Sequence, residues 1–299
     1  MRRGPIGVAA GLAAALVLAG AAWSAITYQD LLKRPVAAKA SAHIAYGPAS
    51  SQFVELWLPE GPGPHPVAVV IHGGCWRADL PGLELMNPAV SDLRRRGIAV
   101  WNIEYRRVGE PGGGYPGTYR DVAAALELLK TSAPRYSLDL ERLVAVGHSA
   151  GGHLALWAAA RRRLQPSDPL YAADPLPIAA VVSLGGFSDL QRQKAAIESP
   201  CGKGVVGAMT GATEPGRPDV FADTSPAAML PLGVRQVLIH GALDTISPPT
   251  IELSYRARAV ASGDTVEART MAGAGHFELI SPGEPAWATA AGIVQSLQR

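Results

Sequence analysis

The feature that most restricts the fold is a recurrence of short, mainly apolar runs separated by stretches with helical spacing. Residues 67–71 are apolar without a break, and runs read as further strands, some broken by polar residues, stand at 98–103, 143–146, 178–184, 234–239 and 265–270. A strand wet on one face alternates polar and apolar side chains, whereas a continuous run marks burial on both faces. Between the runs, residues 119–130 and 153–160 carry apolar side chains at helical intervals. This alternation predicts an α/β fold with a mainly parallel central sheet and helices on both faces. Residues 53–58 alternate instead, so the 42–58 region is expected to form an antiparallel edge.

Composition narrows the class further. With 48% hydrophobic and 17% charged residues the chain is globular rather than disordered. Its 27 basic and 25 acidic residues leave a net charge of +2 without a long basic run, so no nucleic-acid partner is expected. The triplets Arg94-Arg95-Arg96 and Arg161-Arg162-Arg163 follow helix-like stretches and are expected to be solvated helix ends. Two cysteines, Cys75 and Cys201, are too few for a disulfide scaffold or a four-cysteine zinc site.

The N-terminus is expected to carry an address. Arg2 and Arg3 precede an uncharged run over residues 6–26, which as a helix would span about 31 Å, close to a bilayer's hydrocarbon core. Ala19-Gly20-Ala21 equally suits a signal-peptide cleavage site. Residues 1–29 are therefore expected to be a membrane anchor or a cleaved secretory signal, 30–41 a linker, and 42–299 one catalytic domain outside the cytosol. Export permits a disulfide between Cys75 and Cys201, although two buried thiols fit the sequence as well. Residues 186–230 are rich in proline and glycine without a sustained period, and are expected to form a lid or pocket wall.

The chemistry is concentrated at chain positions where predicted strands end. Gly147-His148-Ser149-Ala150-Gly151 lies between the apolar run 143–146 and the helical stretch 153–160. A serine at such a strand-to-helix turn is pushed out above the sheet, with a helix N-terminus behind it. The flanking glycines allow the close approach this turn needs. The N–H of Ala150 is then a candidate oxyanion donor, and His72-Gly73-Gly74-Cys75-Trp76, directly after the run 67–71, supplies further donors at Gly73 and Gly74, with Cys75 also a candidate. A serine nucleophile needs a base, and the base needs an orienting acid. His276, in the glycine-rich segment 273–277, and Asp244, after the run 234–239, fill these roles in the chain order serine, acid, histidine; Asp189 is the competing acid. His148 is expected to point away from the pocket, and His153 to pack one helical turn behind the serine. Trp76 is a candidate platform for substrate; Trp101, Trp157 and Trp287 are expected in the core.

Taken together, HGG-C-W, Glu104-Tyr105-Arg106, GHSAGGHLALW, GALDTISP and GAGHF resemble the α/β-hydrolase superfamily, and within it the esterase and arylformamidase (kynurenine formamidase-like) group. The resemblance covers residues 42–299. It implies a serine hydrolase acting on a carboxylic ester or small amide through an acyl-enzyme on Ser149, with no metal or cofactor. Two other expectations remain open: a tethered binding protein that keeps the fold without catalysis, and an acyltransferase.

Overall fold

The computed structural model describes residues 25–299. Eight strands, β1 (Ala42–Ala45), β2 (Phe53–Trp57), β3 (His65–Ile71), β4 (Ala99–Ile103), β5 (Leu138–His148), β6 (Ala180–Leu184), β7 (Arg235–Gly241) and β8 (Val266–Met271), form one sheet in the order β1-β2-β4-β3-β5-β6-β7-β8. β1 and β2 pair antiparallel, as does β2 with β4, and every other neighbour is parallel. The alternating segment is thus the antiparallel edge, and the continuous runs are the doubly covered interior. This is the α/β-hydrolase fold.

Helices cover both faces, and the pleat divides each strand between them. In β3, Val67, Val69 and Ile71 pack on the side of α3 (Gly117–Ser132) and α4 (Ala150–Ala160), whereas Ala68 and Val70 meet α2 (Asn87–Arg95) and α8 (Pro285–Leu297). Residues 265–270 depart from expectation. They contribute β8, an edge strand shifted by one residue, with Ala268, Arg269 and Thr270 exposed. Arg161 departs too: its side chain is buried and donates to Glu127 Oε1 at 2.7 Å, while Arg162 and Arg163 remain exposed.

The stretch expected as a linker begins inside a short helix, α1 (Tyr28–Leu32), whose Leu31 is buried against the core beside α2. Most of the expected anchor or signal, residues 1–24, lies outside the described residues. Among the described residues no helix is long and apolar enough to cross a membrane. Residues 186–230 are less irregular than their composition suggests. They fold into α5 (Lys194–Cys201) and α6 (Val205–Thr210), burying Ile197, Val206 and Met209, and a Cys75–Cys201 disulfide ties α5 to the turn after β3.

Candidate active site

β5 delivers Ser149 at the start of α4 with φ 54° and ψ −121°, a conformation that costs a non-glycine residue energy and persists only under close packing. That packing is visible at Gly151, where an added Cβ would stand 2.0 Å from the carbonyl oxygen of Ile71. The Ser149 N–H is anchored on the Leu184 carbonyl at 2.8 Å, so β6 also fixes the turn. Ala150 is the first residue of α4, and its N–H has no acceptor within the helix.

Two further strand ends supply the base and acid. His276 follows β8, and its Nδ1–H donates to Asp244 Oδ2 at 2.7 Å, which leaves Nε2 with the lone pair a base requires. The other Asp244 oxygen accepts the N–H groups of Ile246 and Ser247, both at 2.8 Å. Burial would raise this carboxyl's pKa, but the hydrogen bond and charge of His276, with the two N–H groups, hold it below the usual carboxylate range. Ser149 and His276 line one cavity. Among the described residues the serine hydroxyl makes no hydrogen bond, a looseness common before substrate binds.

The turn after β3 stands against the serine. An added Cβ on Gly73 would lie 3.0 Å from Ser149 Cβ, while Gly74, Cys75 and Trp76 all take positive φ. Gly74 and Cys75 line the cavity, and Gly73 packs behind them against His148 and Ser149. The turn is braced by Glu104, at the end of β4. One Glu104 oxygen accepts the Tyr105 N–H and meets His72 Nε2, each at 2.9 Å, and the other accepts the Leu83 N–H at 2.9 Å. Burial opposes its charge, but His72, Arg107 and the Leu83 N–H bring its pKa down to about 2. The sequence held this residue in plain view without assigning it a role; a carboxylate ending a buried strand is the signal that marks it.

Four residues singled out in the sequence find clear places here. Trp76 is no platform: the reversed backbone turns its indole inward, fully buried against His153 and Phe187, and it does not line the cavity. His148 does line it, its Nε2–H donating to the His276 carbonyl at 3.1 Å, because the 275–277 segment folds back over the end of β5. Burial holds the His148 ring neutral, well below the ordinary histidine pKa. His153 donates to the Thr224 carbonyl at 2.8 Å and belongs to the packing. Asp189, the rival acid, is engaged instead by Arg258 at 2.6 Å.

The cavity measures about 230 Å³. Beyond Ser149 and the two histidines its walls are apolar, built from Tyr28, Leu80, Leu85, Pro200, Ile246 and Phe277 among others. No Lys, Arg, Asp or Glu is among the described residues that line it.

The BD-FAE family matches residues 54–254, a span that holds both the serine turn and the acid loop. The chain belongs to the BD-FAE family. Esterase LipC of Mycobacterium tuberculosis is 28% identical to this BD-FAE chain over 251 residues, covering 79% of the chain and 60% of LipC. A probable isoprenylcysteine alpha-carbonyl methylesterase of Arabidopsis thaliana is 29% identical over 114 residues, or 38% of the chain and 23% of that protein. The chain therefore spans less than two thirds of these relatives. Among solved structures, a truncated carbohydrate esterase from gut microbiota superimposes with a TM-score of 0.70 at 20% identity, covering 87% of this chain and 96% of that one. An inhibited esterase B of Lactobacillus rhamnosis gives 0.72 at 19% identity, over 85% and 84%. At such identities the superpositions establish the shared fold.

Proposed function

We propose that this BD-FAE chain is a serine hydrolase that cleaves carboxylic esters with small, uncharged, apolar groups. The observation that carries this reading is the convergence of Ser149 and the Asp244–His276 pair on one apolar cavity. The similarity to esterases supports it. In the first half-reaction Ser149 Oγ attacks the acyl carbon and its proton passes to His276 Nε2. The carbonyl oxygen becomes an oxyanion facing the N–H groups of Ala150 and of Gly73 or Gly74, with Cys75 N–H as a further donor. The carbon–oxygen bond to the alcohol then breaks, and the imidazolium proton goes to the departing alkoxide. Water attacks the acyl-enzyme by the same route in reverse and releases the acid. Asp244 remains ionised throughout and stabilises the imidazolium.

At about 230 Å³ the cavity is smaller than the roughly 300–1,000 Å³ that houses drug-sized ligands, which supports short rather than long substrate groups. A small amide or formamide has the same reacting carbon, so the formamidase-like reading enters the same screen. The disulfide supports export, since such bonds persist outside reducing compartments.

Ser149→Ala should reduce turnover of a p-nitrophenyl acetate panel by at least about 10⁴-fold while circular dichroism stays unchanged. A fluorophosphonate probe should label the wild-type chain at Ser149 and leave the variant untouched. Substantial turnover by the folded variant rejects the assignment, and a wild-type chain that resists the probe points to a binding protein instead.

A further inference from the structure

Residues 26–34 are separated from the catalytic histidine by almost the whole chain, yet they are built into its surroundings. The Glu278 carboxylate, nearly fully buried, accepts the Ile26 N–H on one oxygen at 2.7 Å. Its other oxygen accepts the N–H of Gly275, the residue before His276, at 3.0 Å. Arg34 closes the far end by donating to the Pro282 carbonyl at 2.6 Å. In between, Leu31 is buried in the same cluster as Leu85, and the Tyr28 ring meets Phe277 edge-on at 6.4 Å. Tyr28, Leu85 and Phe277 all line the cavity beside Ser149.

A five-residue helix does not hold its shape alone in water. A capping box between Thr27 and Asp30 holds the first turn, but the order of the segment comes from docking, through the shared Glu278 carboxylate, the buried Leu31 and the Arg34 contact. A chain merely passing over the surface has no need of three separate attachments. An aromatic side chain held this way presents a stiff face to whatever occupies the space beside it. We propose that the segment from Ile26 to Arg34 is an integral wall of the substrate cavity, and that Tyr28 limits the size of the ester group accepted there. The proposal rests on the ester-hydrolase reading and deepens it by assigning a residue to size selection.

Two ester series test it: p-nitrophenyl esters with acyl chains of increasing length, and alkyl acetates with alcohols of increasing length. Tyr28→Ala should tilt the profile of kcat/KM against chain length towards longer groups in one series, by about fourfold per added methylene over two or three methylenes, the equivalent of burying each. Tyr28→Phe keeps the ring and should keep the wild-type profile. A Tyr28→Ala profile parallel to wild type in both series overturns the proposal, whether overall activity is kept or lost. A wild-type chain that neither hydrolyses an ester nor takes the phosphonate label removes the ester-hydrolase reading itself, and the size limit with it.

Discussion

At Asp244 three donors converge on one carboxylate, and each has a different consequence. The Ile246 and Ser247 N–H groups fix where the carboxylate points, and the His276 bond fixes which imidazole nitrogen holds the proton. Asp244→Asn preserves the shape but offers an amide that pairs as readily with the wrong tautomer. It should lower kcat about 10⁴-fold with little change in KM, as read by steady-state kinetics on a protein of unchanged melting behaviour. A loss confined to KM would mean that Asp244 holds substrate rather than the histidine.

Each element of the site is the carboxyl end of a strand or the turn after it: β3 leads to the glycine turn, β4 to Glu104, β5 to Ser149, β7 to Asp244 and β8 to His276. Such ends are legible in sequence, because doubly buried strands declare themselves as unbroken apolar runs and tight turns declare themselves through glycine. What escapes is whatever depends on distant segments meeting. Tyr28 falls within an expected leader, and its place beside the cavity depends on long-range contacts such as the hydrogen bond between Ile26 and Glu278, 252 positions apart. Trp76 misled for a local reason: standing next to a functional turn says nothing about direction, and positive φ at Cys75 and Trp76 sends the indole inward. The disulfide was permitted but not specified by two isolated cysteines. It joins the glycine turn to α5, and the Arg77 guanidinium reinforces the join by donating to the Cys201 carbonyl at 3.0 Å. Reduction, or Cys201→Ser, should loosen the turn and lower kcat by about tenfold, less than the loss of a whole oxyanion donor. It should also cost about 2–5 kcal/mol in denaturant titrations, since the bond closes a loop of 126 positions. Unchanged kcat in the reduced enzyme would show that the turn stands without it.

For the molecule as a whole, the group with the clearest pH signature is Glu252, outside the cavity. It is buried, accepts from the Ser188 hydroxyl, and among the described residues its second oxygen has no hydrogen-bond partner, standing 4.0 Å from His240 Nε2. Burial pushes its pKa up from 4.5 to about 8. The folded chain thus keeps a proton that the unfolded chain releases, so this contribution to stability is complete below about pH 4.5 and is lost as pH rises towards 8. Glu252→Gln should therefore gain on the wild type by up to about 1.4 kcal/mol per pH unit across that interval, measured by urea titrations at several pH values. A pH-independent difference would mean that the carboxyl ionises freely in the fold.

Because Ser149, Asp244 and His276 leave three different strands of one sheet, no contiguous fragment short of that span carries them together. Recovery of hydrolysis during refolding therefore reports completion of the architecture rather than of any local piece. Two fragments parted between α6 and β7 would each be inert, and activity on mixing them would require the sheet to be rejoined between β6 and β7.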